Sequence, residues 1–192
     1  DKCRKILALK RWLDLQNYKP AETLNLVKRL NSPAFQATQK SIIKNTLTVL
    51  KNKKSIPVQG FDTLRIATVM TGADGITSFQ QMMGNYTQMD HFFISKKARA
   101  TELTELLTKL KKYNLIILGI QGLRLYPNSD FGTTELMKFA TGEIIRQNKT
   151  VTVFFGNAYA LSRFANLQES SGLILAYQNN KTVQELAAQL VF

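Results

Sequence analysis

Cysteine and histidine are all but missing: the 192 residues hold one of each, Cys3 and His91. A single thiol closes no internal disulfide, and one Cys with one His makes no metal site of the Cys/His type. Apolar runs are short, and the longest, such as Leu115 to Ile120, fall far below the roughly 20 residues that cross a bilayer as a helix. With 10 glycines and 4 prolines the chain is neither collagen-like nor low in complexity. Acidic residues are scarce as well, 13 against 26 Lys and Arg, which leaves a net charge of +13. What is present is an ordinary apolar load of 44%, enough for a core that buries about 70% of the surface of the unfolded chain without disulfide or metal staples.

The positive charge is unevenly placed. Residues 1 to 60 carry 13 basic and 3 acidic side chains, while residues 61 to 192 carry 13 and 10. Residues 1 to 51 contain no glycine and read as helices with short breaks. Ile6, Leu9, Trp12 and Leu13 recur at helical spacing before the turn at Asn17-Tyr18-Lys19-Pro20. A second short helix is predicted from about Ala21 to Leu30. A third is announced by Asn31, Ser32 and Pro33 and carries Ile42, Ile43, Leu47 and Leu50 on one face. Lys51 through Lys54 to Pro57 then reads as an extended connector. The absence of an initiator Met at Asp1 and of a helix cap at Phe192 leads us to expect a piece of a longer polypeptide.

From Leu64 onward the period changes. Strands are predicted at Leu64 to Met70, His91 to Ile94, Leu115 to Ile120, Thr150 to Phe155 and Leu173 to Tyr177. They alternate with helices near Ser78 to Met83, Ala100 to Lys112, Thr133 to Gln147, Ala158 to Leu167 and Thr182 to Val191. The alternation predicts an α/β fold, a mostly parallel sheet with helices on both faces, which is a three-layer α/β sandwich preceded by an N-terminal helical linker. The division expected is linker over 1 to 60 and sandwich over 61 to 192.

In an open α/β sheet, ligands bind outside the carboxyl ends of the strands, and the loops there offer few acids or bases. Gly72 and Gly75 do not complete a dinucleotide fingerprint or a P-loop. Asp74 is a carboxylate that would need a partner for catalysis, with Asp130 and Glu135 as the candidates; a turn aspartate is the simpler reading. Glu102 and Glu105 share a helix face on which Lys109 offers an exposed pairing. His91 lies beside Phe92 and Phe93 with no nucleophile fixed near it, and no G-x-S-x-G elbow exists. No cofactor or metal is called for, and the basic N-terminal helices lack the interleaved exposed aromatics of a nucleic-acid binder apart from Trp12 and Tyr18.

Several stretches carry a likeness to a known family. Lys2 to Leu13 with Leu15-Gln16-Asn17-Tyr18, then Asn45 to Asn52 with Ile56-Pro57, then Leu118-Gly119-Ile120, Phe131-Gly132, Phe155-Gly156-Asn157-Ala158-Tyr159-Ala160-Leu161 and Ala176-Tyr177 together resemble the C-terminal α/β sandwich of glycoside hydrolase family 3, in its bacterial β-N-acetylhexosaminidase branch of the Bacteroides group. The family's usual proline in the Asn157 run is Ala158 here. The resemblance implies a parent enzyme that releases terminal β-linked N-acetylglucosamine with retention, through an aspartate and a loop histidine of an N-terminal (β/α)8 barrel that these residues do not include. No catalytic residue of the family transfers, because no glutamate here aligns with the one that the glucosidase branch places in its sandwich. The implied partners are the barrel, its carbohydrate substrate and a downstream β-lactamase-like domain, without nucleic acid or a membrane span; the implied location is periplasmic or exported. Asp74, Arg124 and Asn157, each just after a strand, are the expected rim contacts to sugar or barrel. Two other readings stay open: a doubly wound nucleotide-binding or receiver-like module, and a basic nucleic-acid-binding protein.

Overall fold

The computed structural model describes residues 1–20 and 22–192 and divides into two compact units, Asp1–Thr38 and Gln39–Phe192. The first unit is helical. Helix α1 spans Lys2–Trp12 and α2 spans Leu26–Leu30; Ala21, where the second helix was expected to begin, lies outside the described residues. None of the described residues of this unit is buried, and Ile6, Leu9, Trp12, Leu13, Leu24 and Val27 are all more than half exposed.

Helix α3 runs Pro33–Thr46. Its proline occupies the first helical position, where a missing N–H costs nothing, and Ser32 Oγ accepts the Phe35 N–H at 3.3 Å as an N-cap. The helix stops before Leu47 and Leu50, which the sequence placed on it. Residues Thr48–Asn52 instead form strand β1, antiparallel to the last strand of the sheet, with a register shift between Val49 and Lys51. Thr46 closes the helix with its hydroxyl on the Ile43 carbonyl, Thr48-Val49 are β-branched residues compatible with an extended backbone, and pairing with the last strand holds them in it. The sheet therefore begins upstream of residue 61.

The remaining elements alternate as expected: β2 (Ile66–Thr71), α4 (Ser78–Met83), β3 (Asp90–Ile94), α5 (Ala100–Leu110), β4 (Leu115–Ile120), α6 (Glu135–Gln147), β5 (Thr150–Phe154), β6 (Gly172–Leu175) and α7 (Lys181–Val191). One expected helix, Ala158 to Leu167, is two 3-10 turns, Ala158–Arg163 and Leu167–Glu169, separated by Asn166 at φ 67°. The sheet order is β1-β6-β5-β4-β2-β3, parallel throughout except for β1. This is the three-layer α/β sandwich that the alternation predicts.

Because side chains alternate across a strand, each central strand feeds two cores. Ala67, Val69, Ile116, Leu118 and Phe154 join Leu103, Leu106 and Leu110 of α5 and Met137, Ala140 and Ile144 of α6. Met70, Ile117, Val151 and Val153 join Phe79 and Met83 of α4 and Val183, Ala187 and Val191 of α7. Successive residues Phe154 and Phe155 show the division, the first edge-on to Phe164 at 5.6 Å and the second edge-on to Phe79 at 5.2 Å. Full burial of each such ring contributes about 1.5–3 kcal/mol. Ile43 and Leu47 of the α3 stripe pack against the second of these cores, while Ile42 is 59% exposed.

Beyond the ends of β2 and β4 the backbones nearly touch. Gly72 has φ +78°, and a Cβ placed there would lie 2.3 Å from the Gln121 carbonyl oxygen; one on Gly122, at φ +74°, would lie 2.7 Å from the Gly72 oxygen. Gly75, three residues along, faces open space. Gly72→Ala is expected to lower stability in urea unfolding by about 2–4 kcal/mol, whereas Gly75→Ala changes it by less than about 0.5 kcal/mol.

Candidate functional site

The parallel strands in the order β6-β5-β4-β2-β3 reverse direction of winding between β2 and β4. That is the switch point at which doubly wound sheets hold ligands. Here the backbone approach of Gly72 and Gly122 narrows the crevice, and Lys96 lies across it: its ammonium donates to the carbonyl oxygens of Gly122 and of Gly132, the latter at 2.6 Å. Burial and the neighbouring Arg124 charge push the Lys96 pKa below its ordinary value, with Asp74 acting the other way. Two of the three rim residues expected from sequence, Asp74 and Arg124, thus lie within electrostatic reach of Lys96. Asp74 is exposed and accepts the Ser95 hydroxyl. Arg124 is exposed, with its stem over Gly132 and its N–H on the Phe131 carbonyl at 2.7 Å. Asn157 stands on the next loop, donating to the Leu125 carbonyl at 2.9 Å and accepting the Tyr159 N–H at 3.0 Å.

The other candidates resolve into structural roles. Asp130 is not paired with Asp74. It contacts Lys138 at 2.7 Å and Arg163 at 2.8 Å and accepts the Thr133 hydroxyl at 2.7 Å. Hydrogen bonds from Lys138 and Thr133 and the two positive charges hold its carboxyl below the usual carboxylate range, so it stays ionised at neutral pH and is a poor proton donor. Glu135 shares Lys138 at 2.8 Å. Glu102 accepts the Arg99 N–H at the start of α5, and Glu105 forms no ion pair with Lys109. Among the described residues no three of His, Cys, Asp and Glu are grouped to hold a metal ion, and no helix is long and apolar enough to cross a membrane.

His91 belongs to a buried chain of hydrogen bonds. Gln80, fully buried, donates to Thr68 Oγ1 at 3.0 Å and to the Phe92 carbonyl at 2.8 Å, and accepts the Thr77 N–H at 3.2 Å. With Gln80 donating to it, the Thr68 hydroxyl is free to give its hydrogen to His91 Nδ1, 2.7 Å away; the imidazole is then neutral with its proton on Nε2. A second carboxamide, Gln184 on the buried side of α7, accepts the Phe79 N–H at 3.1 Å and donates to Gln121 at 2.9 Å and Asn179 at 2.6 Å. Its signal in the sequence is a polar residue beside Val183 on the stripe that continues to Ala187 and Val191.

The loop after β4 carries the most strained backbone. Ser129, Asp130 and Phe131 have φ of 53°, 53° and 56°, followed by Gly132 at 69°. Each left-handed residue other than glycine costs about 1–2 kcal/mol. The turn is held by Lys138 and Arg163 on Asp130, by Lys96 on Gly132 and by the buried Phe131 ring.

Among solved structures with this fold are β-N-acetylglucosaminidases and a β-glucoside phosphorylase. A fungal multi-domain β-N-acetylglucosaminidase of glycoside hydrolase family 3 superposes with a TM-score of 0.64 at 15% identity, over 91% of this chain and 19% of its own. The β-glucoside phosphorylase BglX gives 0.65 at 15% identity, over 97% and 34%. A family 3 β-N-acetylglucosaminidase from Paenibacillus sp. str. FPU-7 gives 0.64 at 12% identity, over 98% and 36%. The fold is one that family 3 glycoside hydrolases contain. The chain spans between about a fifth and just over a third of the length of these neighbours. No protein-family model matches the chain, and no curated protein matches it.

Burial lowers the His91 pKa from 6.5, with the Asp90 charge opposing. A lowered folded-state pKa means that the unfolded chain takes up the proton first as pH falls. The contribution of His91 to stability is therefore complete above pH 6.5 and is lost as pH drops below it. With one histidine in the chain, its NMR titration is unambiguous: a midpoint below that of an imidazole in an unfolded peptide is expected, and a midpoint at or above it contradicts the half-buried neutral ring.

Proposed function

We propose that this chain is a non-catalytic domain of a glycoside hydrolase of family 3, in a parent of the β-N-acetylhexosaminidase type that cleaves terminal β-N-acetylglucosaminides. The observation that carries the reading is the superposition over 91% to 98% of this chain on enzymes of which it spans 19% to 36%, so that its whole length corresponds to one part of a larger machine. The chemistry of the rim supports it. Asp130, Glu135 and Asp74 are each engaged by a cation or a hydroxyl, an arrangement that positions loops and keeps Asp130 ionised.

In this reading the catalytic groups sit on a (β/α)8 barrel of the same exported polypeptide. The exposed apolar residues of α1 and α2 contact that barrel, Asp74, Arg124 and Asn157 border its mouth, and a further domain follows on the C-terminal side. The 192-residue chain is expected to release no aryl alcohol from aryl β-N-acetylglucosaminides, while the parent containing about 250 more residues, the usual size of a barrel, does so. In that parent, alanine at Asp74, Arg124 and Asn157 together is expected to raise KM for the glycoside. Turnover by the isolated chain, or unchanged kinetics in the triple variant, contradicts the non-catalytic role or the rim assignment respectively.

A further inference from the structure

Strand β1 forms one edge of the sheet. Its inner side pairs antiparallel with β6, and among the described residues no backbone bond from another segment reaches its outer side. An open strand edge is a row of unused N–H and C=O groups, a template on which another chain pairs. Val49 and Leu50 on this edge are 41% and 46% exposed, and the register shift leaves Leu50 without a partner on β6.

Each face of the edge carries an apolar pocket. On the side of α7, Val49 joins Leu47, Ile56, Leu190 and Phe192 around a volume of about 600 Å³. On the side of the 3-10 turns after β5, Leu50 joins Leu161, Phe164, Leu167 and Leu173 around about 260 Å³. Leu47, Ile56, Leu190 and Phe192 pack with the core under α4 and α7, whereas Leu161, Phe164, Leu167 and Leu173 pack with the core under α5 and α6, so the two pockets lie on opposite faces of the sheet. Side chains of an extended strand alternate between faces. A strand added beside β1 therefore delivers successive side chains to one pocket and then the other, the arrangement in which main-chain pairing supplies affinity and the pockets supply selectivity.

Charge selects the occupant. No acidic residue lies between Glu22 and Asp62, and neither pocket is lined by a carboxylate. Lys44 lines the larger pocket, and Lys53 and Lys54, directly after the strand, are exposed. Lysines at an edge oppose pairing with a second copy of the same chain, here one of net charge +13, and favour a partner of the opposite sign. We propose that the outer edge of β1 accepts an added strand, an extended segment of an acidic polypeptide whose apolar side chains alternate into the two pockets. The residues concerned all belong to Gln39–Phe192, so this docking edge stands or falls apart from the proposed parent enzyme.

The test is an NMR titration of the ¹⁵N-labelled chain with a short synthetic peptide, a valine-rich segment between pairs of glutamates. Two controls accompany it: the same peptide with lysines in place of the glutamates, and the same peptide N-methylated at each valine, which removes the N–H groups needed for pairing. Saturable shifts and slowed hydrogen exchange are expected at the backbone amides of Thr48 to Asn52 with the glutamate peptide. Val49→Glu, at an exposed position, is expected to weaken binding about ten-fold, and Lys44→Glu combined with Lys53→Glu to turn the preference toward the lysine peptide. The proposal is overturned by the absence of saturable shifts up to about 2 mM glutamate peptide, a concentration that detects weak binding. It is also overturned if either control peptide binds as well, or if the chain alone self-associates through the same amides as its concentration rises, which makes a second copy the occupant.

Discussion

The middle of the sheet is dry on both sides, and that requirement organises everything else in Gln39–Phe192. Every residue of β2, β4, β5 and β6 is buried, so neither face can be left to water and both must be covered by the connections between strands. α5 and α6 seal one side, α4, α7 and the last turn of α3 the other. Close packing then sets the shape of the functional edge. A Cβ on Gly119 in the centre of β4 would meet the Met70 sulfur at 2.2 Å, and just beyond the strands the carbonyls of Gly72 and Gln121 leave no room for side chains at their glycine neighbours. The crevice used by many doubly wound sheets is thereby narrowed by backbone, and the open volume lies one loop further on, between the segments that follow β4 and β5.

The N-terminal unit obeys the opposite rule. Its helices expose apolar residues that the described part of Asp1–Thr38 does not cover, and an eleven-residue helix such as α1 is too short to be stable in water on propensity alone. Its exposed Lys2, Arg4, Lys5, Lys10 and Arg11 keep such a surface soluble and favour an acidic surround for whatever covers it. In the proposed parent the barrel fills that role.

Much of this was legible in the residue order. Leu115–Ile120 and Ser78–Met83 fall where the sequence puts them, because an apolar run bounded by polar turns is a local signal, and in the structure Thr77 and Gln80 form a capping box at the start of α4. β1 was not legible. Leu47 and Leu50 continue the apolar spacing of α3, and only pairing with β6, more than a hundred residues away in the chain, makes Thr48–Asn52 a strand. The rim was half legible for the same reason. Asp74 and Arg124 could be placed after their strands, but their nearness to Lys96 and the left-handed turn at Ser129 to Phe131 depend on Lys138 and Arg163, which arrive from α6 and from the turn after β5.

What distinguishes a functional edge from a merely polar one is hydrogen-bonding capacity that folding leaves unused. Gln80 and Gln184 spend both amide hydrogens and their oxygens inside the protein, so burying them fixes α4 and α7 against the sheet and does nothing more. Asp130 spends its carboxylate on Lys138, Arg163 and Thr133, which maintains a strained turn. Tyr126 and Tyr159 stand on that frame with their rings in water. A partner that covers them has to order two exposed side chains, and only the backbone frame beneath them is already fixed.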